Sequence, residues 1–150
     1  MWQEIQKRIS GLFVGRRRQV TICIFILIFL FGTAQAIYGK GGTITVQTDA
    51  QKLGVLGTSQ GPSFVPFSDV TELQLLDGLE FGTCLEGDET ANTLSGIYEN
   101  DLLGTYVLHV YKEKSPYILV RYGQDEALVF NQKSEKSTQK VYEDLVSKIR

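Results

Sequence analysis

The sequence predicts a mainly β protein: an apolar segment near the amino terminus, then a β unit, a partly open barrel or sandwich, capped by one carboxyl-terminal amphipathic helix. Three observations carry that reading. Residues 19–39 are twenty-one positions without a charged side chain. Residues 40–131 place apolar and β-branched residues in short runs, several with a period of two, split by turn-forming residues. From Ser134 onward the apolar spacing changes to that of a helix. A length of 150 residues suits one such unit. Composition is ordinary for a folded chain, with 43% hydrophobic and 21% charged residues, which excludes disordered and collagen-like classes.

Charge divides the chain. Residues 1–18 carry Lys7, Arg8, Arg16, Arg17 and Arg18 against Glu4 alone, a net of +4. The remainder carries ten basic against sixteen acidic residues, a net of −6. Between Lys52 and Lys112 there are nine carboxylates and no basic residue. Binding to nucleic acid in general needs a basic stripe to displace counterions from phosphates, so that class of partner is excluded. Two cysteines are too few to staple a disulfide scaffold.

The apolar segment is the first element. Val20, Ile22, Ile24, Phe25, Ile26, Leu27, Ile28, Phe29, Leu30 and Phe31 fill ten of twelve consecutive positions. At roughly −0.3 to −0.6 kcal/mol each on the insertion scale, they favour the bilayer by about 3–6 kcal/mol. A hydrocarbon core of about 30 Å takes about 20 helical residues, which 19–39 supply if 32–36 are included. Lipid forces a helix, because no water is present to satisfy the backbone. Tyr38 falls where an interfacial aromatic is expected. A second reading stands beside the retained anchor: a secretory signal ending in Ala34-Gln35-Ala36 and cleaved after Ala36. The long amino-terminal region and the long charge-free stretch favour the anchor. Cys23 lies at the start of the apolar run, so it is no lipoprotein acceptor. Arg16, Arg17 and Arg18, with Lys7 and Arg8, set the topology: residues 1–18 stay in the cytoplasm and 40–150 cross the membrane. Ile5, Ile9, Leu12 and Phe13 also allow a short basic helix on the inner leaflet. The expected lipid partner is thus the bilayer, met through residues 19–39.

The β unit follows. Ile44 and Val46 alternate with Thr43, Thr45 and Gln47; a second run covers 53–56, and 57–62 is turn-rich. Leu73 and Leu75 alternate with Glu72 and Gln74. The strongest runs are 106–111, 117–122 and 127–130, separated by 112–116 and 123–126, lengths that suit hairpins. They predict a three-strand antiparallel meander. Over 134–149, Val141, Tyr142, Leu145, Val146 and Ile149 share one helix face, Ser134 or Ser137 caps the start, and Lys148 and Arg150 suit the negative end. That helix is expected to bury its stripe over the open mouth of the sheet.

The run PYILVRYGQDEALVFNQKSEKSTQKVYEDL, preceded by GTYVLHVYK, resembles the end of bacterial pleckstrin-homology-like domains of membrane-anchored proteins. The matching residues are Pro116 and Ile118 at the start of one strand, Phe130 and Asn131 at the end of the next, and Thr138, Tyr142 and Leu145 on the closing helix. Upstream, FSDVTELQLLDGL resembles the family's middle strand, so the likeness runs over residues 43–149. It implies a seven-strand, partly open barrel capped by one helix, in a membrane-bound protein without known catalysis. Several relatives carry two spans and a cytoplasmic domain, where this chain has one candidate span. The middle of the domain is often basic in relatives; here Asp77, Glu80, Glu86, Asp88, Glu89, Glu99 and Asp101 make it acidic. A phosphoinositide-type site is therefore not expected.

Catalytic chemistry is sparse. His109 is the only histidine; with Cys84 alone it cannot assemble a zinc site, and no nucleophile sits at a recognisable turn. It is expected to be structural or at the surface, and Cys84 to be buried or idle. The glycines form no phosphate cradle. Glu86, Asp88, Glu89, Glu99 and Asp101 are hard oxygen donors of the kind that bind calcium or magnesium, but EF-hand spacing is missing, so a solvated acidic loop is expected. Such a surface attracts a basic patch on a partner or on the envelope. The sequence thus predicts a single-pass, membrane-anchored, non-enzymatic interaction module without cofactor, acting outside the cytoplasm on an unidentified protein or envelope partner. The alternative is a cleaved, secreted β-barrel that binds a small ligand at its open end.

Overall fold

A computed structural model describes residues 41–57 and 61–149. The anchor segment 19–39, its alternative cleavage after Ala36 and the basic residues Arg16, Arg17 and Arg18 lie outside the described residues. Among the described residues no helix is long and apolar enough to cross a membrane.

Nine strands and one helix are present among the described residues. The chain runs through β1 (Thr45–Thr48), β2 (Lys52–Leu56), β3 (Ser63–Pro66), a 3-10 turn (Phe67–Asp69) and β4 (Val70–Leu76). It continues through β5 (Thr83–Glu89), β6 (Thr93–Asn100), β7 (Gly104–Tyr111), β8 (Tyr117–Tyr122), β9 (Glu126–Phe130) and α1 (Glu135–Ile149). β1, β2 and β3 form one antiparallel sheet in that order. The other six form a second sheet in the order β4-β8-β9-β7-β6-β5. Neither sheet closes into a barrel. The architecture is mainly β, as expected, with the chain divided between two sheets.

Local chemistry fixes the ends of several elements. The β1–β2 turn is held by Asp49, whose Oδ1 accepts from the backbone N–H of Gln51 at 2.7 Å and of Lys52 at 2.8 Å. Those two donors hold the Asp49 carboxyl below its ordinary range. At the start of α1, Ser134 Oγ accepts from the Ser137 N–H at 3.2 Å while Ser137 Oγ accepts from the Ser134 N–H at 3.2 Å. This reciprocal cap uses both serines that the sequence offered as alternatives.

The core has two compartments, one on each face of the large sheet. In the first, Leu53, Val55 and Val65 of the small sheet meet Ile118, Val120, Leu128 and Phe130 of the large one, and Leu145 of α1 completes the cluster. Val141, Tyr142 and Ile149, half-buried, pack against it from the same helix, so α1 turns its apolar stripe toward the cluster, with Leu145 alone of that stripe fully buried. In the second, Leu108, Val110, Leu119 and Val129 are fully or almost fully buried with Tyr98, Tyr106 and Tyr117. The connection between β4 and β5 covers this face. Phe81 meets the Tyr117 ring edge-on at 5.5 Å, and its carbonyl accepts from the Tyr106 hydroxyl at 2.7 Å. Burial on both faces is why β7, β8 and β9 read as near-continuous apolar runs.

Three expectations need correction. The last three strands are not a sequential meander. β8 and β9 are an antiparallel hairpin, but β9 lies between β8 and β7 and runs parallel to β7, with Val107 opposite Leu128 and His109 opposite Phe130. Backbone pairing sets this order and a side chain reinforces it. Asn131 Oδ1 accepts from the Tyr111 N–H at 2.7 Å, and its Nδ2 donates to the carbonyls of Tyr111 at 3.1 Å and Lys114 at 2.7 Å. That amide extends the β7–β9 pairing past its last backbone rung and holds the 112–116 connection beside it. Second, the block Glu86–Glu89 is not a loop: it is most of β5. The strand count, nine in two sheets, also exceeds the seven that the family resemblance implies.

Candidate acidic interaction surface

β5 is the outermost strand of the large sheet and, among the described residues, pairs only with β6. Its sequence, TCLEGDE, has few good strand formers, and its pairing register shifts between Cys84 and Glu86. What holds it is backbone pairing to β6 at very close range. A Cβ added at Gly96 on β6 would lie 2.2 Å from the Glu86 carbonyl oxygen, so only glycine fits there. All seven β5 residues are exposed.

The register assigns the carboxylates to faces. Asp88 lies opposite Ser95, which lies opposite His109, so Asp88 shares a face with that buried histidine. Glu86, two residues earlier, lies on the same face. Glu89 meets the Lys112 ammonium at 2.5 Å, in an exposed pair. Glu99 opposes Thr83 at the other end of β5, and Asp101 occupies the turn between β6 and β7. Asn100 organises that turn. Its Oδ1 accepts from the N–H groups of Leu102 at 3.1 Å and Leu103 at 2.7 Å, and its Nδ2 donates to the Glu80 carbonyl at 2.7 Å. A cleft of about 500 Å³ opens there, lined in part by Leu79, Glu80, Thr83, Glu99, Asp101 and Leu102. It lies among the connections at the ends of the strands.

The five candidate cation ligands are therefore not brought together. Among the described residues no three of His, Cys, Asp or Glu are grouped closely enough to hold a metal ion. Glu86, Asp88 and Glu89 are spread along a strand, with Glu99 and Asp101 at its far end. They form an acidic surface.

His109 is in the core. Its Nδ1 lies 2.6 Å from Ser95 Oγ on β6, and its Nε2 lies 3.2 Å from Ser63 Oγ on β3. One ring nitrogen donates and the other accepts, so a single neutral imidazole ties the two sheets together. Burial lowers its pKa from 6.5 to about 4. Gly57 passes so close that an added Cβ would lie 1.9 Å from Ser95 Oγ and 2.2 Å from His109 Nδ1. Both ring nitrogens face serine hydroxyls, so no carboxylate orients the imidazole as the acid of a Ser–His–Asp series does.

Of the two expectations for Cys84, buried or idle, the first is corrected: it is free and exposed on β5, because an edge strand has no second neighbour to cover it. Its neighbour Tyr98 is held well above the ordinary tyrosine range, chiefly by burial and then by the adjacent thiol. Tyr106, deeper in the same cluster, is pushed up to about 12 by burial. Sequence reasoning missed Ser63, Ser95 and Gly57 as partners of His109. The signal for Asn131 was there, as the asparagine closing the last strand in the family resemblance.

Comparison with protein-family models, with curated proteins and with solved structures gives no match for this chain.

Proposed function

We propose that the chain is a non-enzymatic, pleckstrin-homology-like interaction module, held to the cell membrane by one span over residues 19–39. In this reading the amino terminus is cytoplasmic and the β unit acts outside. The observation that carries the binding role is β5: seven consecutive exposed residues with three carboxylates, on a unit in which, among the described residues, every buried polar side-chain atom has a hydrogen-bond partner. Chemistry left over for a partner thus lies on this surface, and its sign favours a basic protein or envelope component. The anchor rests on the apolar run from Val20 to Phe31 and on the five basic residues before it.

The test is cross-linking in intact cells through the full-length chain, followed by identification of the captured species. A specific partner whose capture weakens as salt rises supports the reading; repeated recovery of the chain alone opposes it. A second reading, a cleaved and secreted small-ligand binder, has a candidate site in the 500 Å³ cleft, which lies among connections and not at the open barrel end expected for it. The mass of the mature chain separates the two: a start at Ile37 means cleavage, and a start at Met1 means the anchor is kept.

A further inference from the structure

We infer that the outer edge of β5 (Thr83–Glu89) is a docking strand, to which an extended lysine- or arginine-bearing segment of a partner protein adds as a seventh strand of the large sheet. The inference rests on the interaction-module reading and deepens it by giving the partner's chemistry and its mode of attachment.

The backbone supplies the first half of the argument. A strand paired on one side only presents the rest of its N–H and C=O groups outward, as a template for another chain. β5 pairs with β6 alone, and nothing among the described residues covers its other side. The opposite edge of the same sheet differs, because β4 packs against α1 and its residues are mostly half-buried. Of the two edges of the large sheet, β5 is therefore the open one.

The side chains supply the second half, by selecting the occupant. Glu86 and Asp88 point to one face of β5 and, among the described residues, neither is in an ion pair, whereas Glu89 pairs with Lys112. A second copy of β5 laid alongside would set carboxylate against carboxylate, which is destabilising directly across a strand pair. The charge thus blocks self-association and leaves the edge to a strand of opposite sign. Leu85, 53% exposed, offers that strand one apolar contact. In this arrangement the main chain supplies the attachment and the carboxylates choose the partner.

The probe is the peptide acetyl-Lys-Val-Lys-Val-Lys-Val-Lys-amide, mixed with the full-length chain in detergent micelles. Its comparators are the same peptide N-methylated at alternate residues, which keeps its charge but cannot pair along an edge, and the Glu-Val analogue. Amide hydrogen exchange locates the contact and titration gives the affinity. Expected are slowed exchange in β5, binding at least tenfold weaker for the methylated and the Glu-Val peptides, and a similar loss in the double variant Glu86→Lys/Asp88→Lys. Those two side chains are exposed, so the variant should keep its thermal midpoint. Equal binding of methylated and unmethylated peptides overturns the inference, as does protection outside β5 or no preference for the basic peptide. Those failures leave the module reading intact, since capture of a partner in cells tests it separately.

Discussion

At the scale of single residues, His109 makes the unit sensitive to acid. Its folded pKa of about 4 lies below the ordinary 6.5, so between those values the unfolded chain binds the proton that the folded chain refuses. Stability should therefore fall as pH drops from about 6.5 to about 4, by about 3 kcal/mol in all, and level off below. Urea denaturation at pH 7 and pH 4 measures this, with His109→Gln as control. The variant should lose most of the difference, and an unchanged difference would assign it to other groups. Gly57→Ala drives a methyl group into Ser95 and His109 and is expected to cost about 1–3 kcal/mol. Asn131→Ala leaves a buried N–H and two carbonyls without their partner, at about 1–3 kcal/mol for each group left unpaired. Either substitution should lower the denaturation midpoint without changing the fold class. None of these pairings was visible as spacing in the sequence, because Ser63, Ser95 and His109 come from three strands that only tertiary structure brings together.

At the scale of elements, the legible parts are those with strong periodicity. β1, β2, β4 and the runs of β7, β8 and β9 carry apolar alternation or continuous apolar stretches, and all are strands. The helix was legible too, because Val141, Tyr142, Leu145 and Ile149 repeat at helical spacing and Ser134 precedes them. Ser134→Ala removes half of the reciprocal cap and should cost about 1 kcal/mol, read from the thermal midpoint. β3, β5 and β6 were not legible. β5 holds three carboxylates and a glycine in seven residues, a composition that reads as loop, and it is a strand only because β6 supplies the backbone partner. A strand held on one side should also open more easily. Amide exchange is expected to be fast in β5 and slowest in β8 and β9, which are paired on both sides. Equal protection across the sheet would mean that β5 is covered by something else.

At the scale of the whole molecule, sequence reading reached the fold class and stopped short of topology. Alternation reports which residues face a core; it does not report lateral order, so the insertion of β9 between β7 and β8 had no periodic signature. The motif residues of the family resemblance turn out to be structural: Ile118, Phe130 and Leu145 are fully buried, Asn131 spans two chain segments, and Thr138 Oγ1 accepts from the Gln132 N–H. They would persist in any chain built this way, whatever it binds. The acidic surface is the part of the molecule free to vary with a partner. The central claim joins that surface to a place, the outer side of the membrane, and Cys84 provides the measurement. A bulky, membrane-impermeant maleimide is added to intact cells stripped of wall and outer envelope and washed at high salt to free β5 of a charged partner, with Cys84→Ser as control. The account predicts labelling of the wild-type chain before lysis and none of the variant, whereas labelling only after lysis would contradict it.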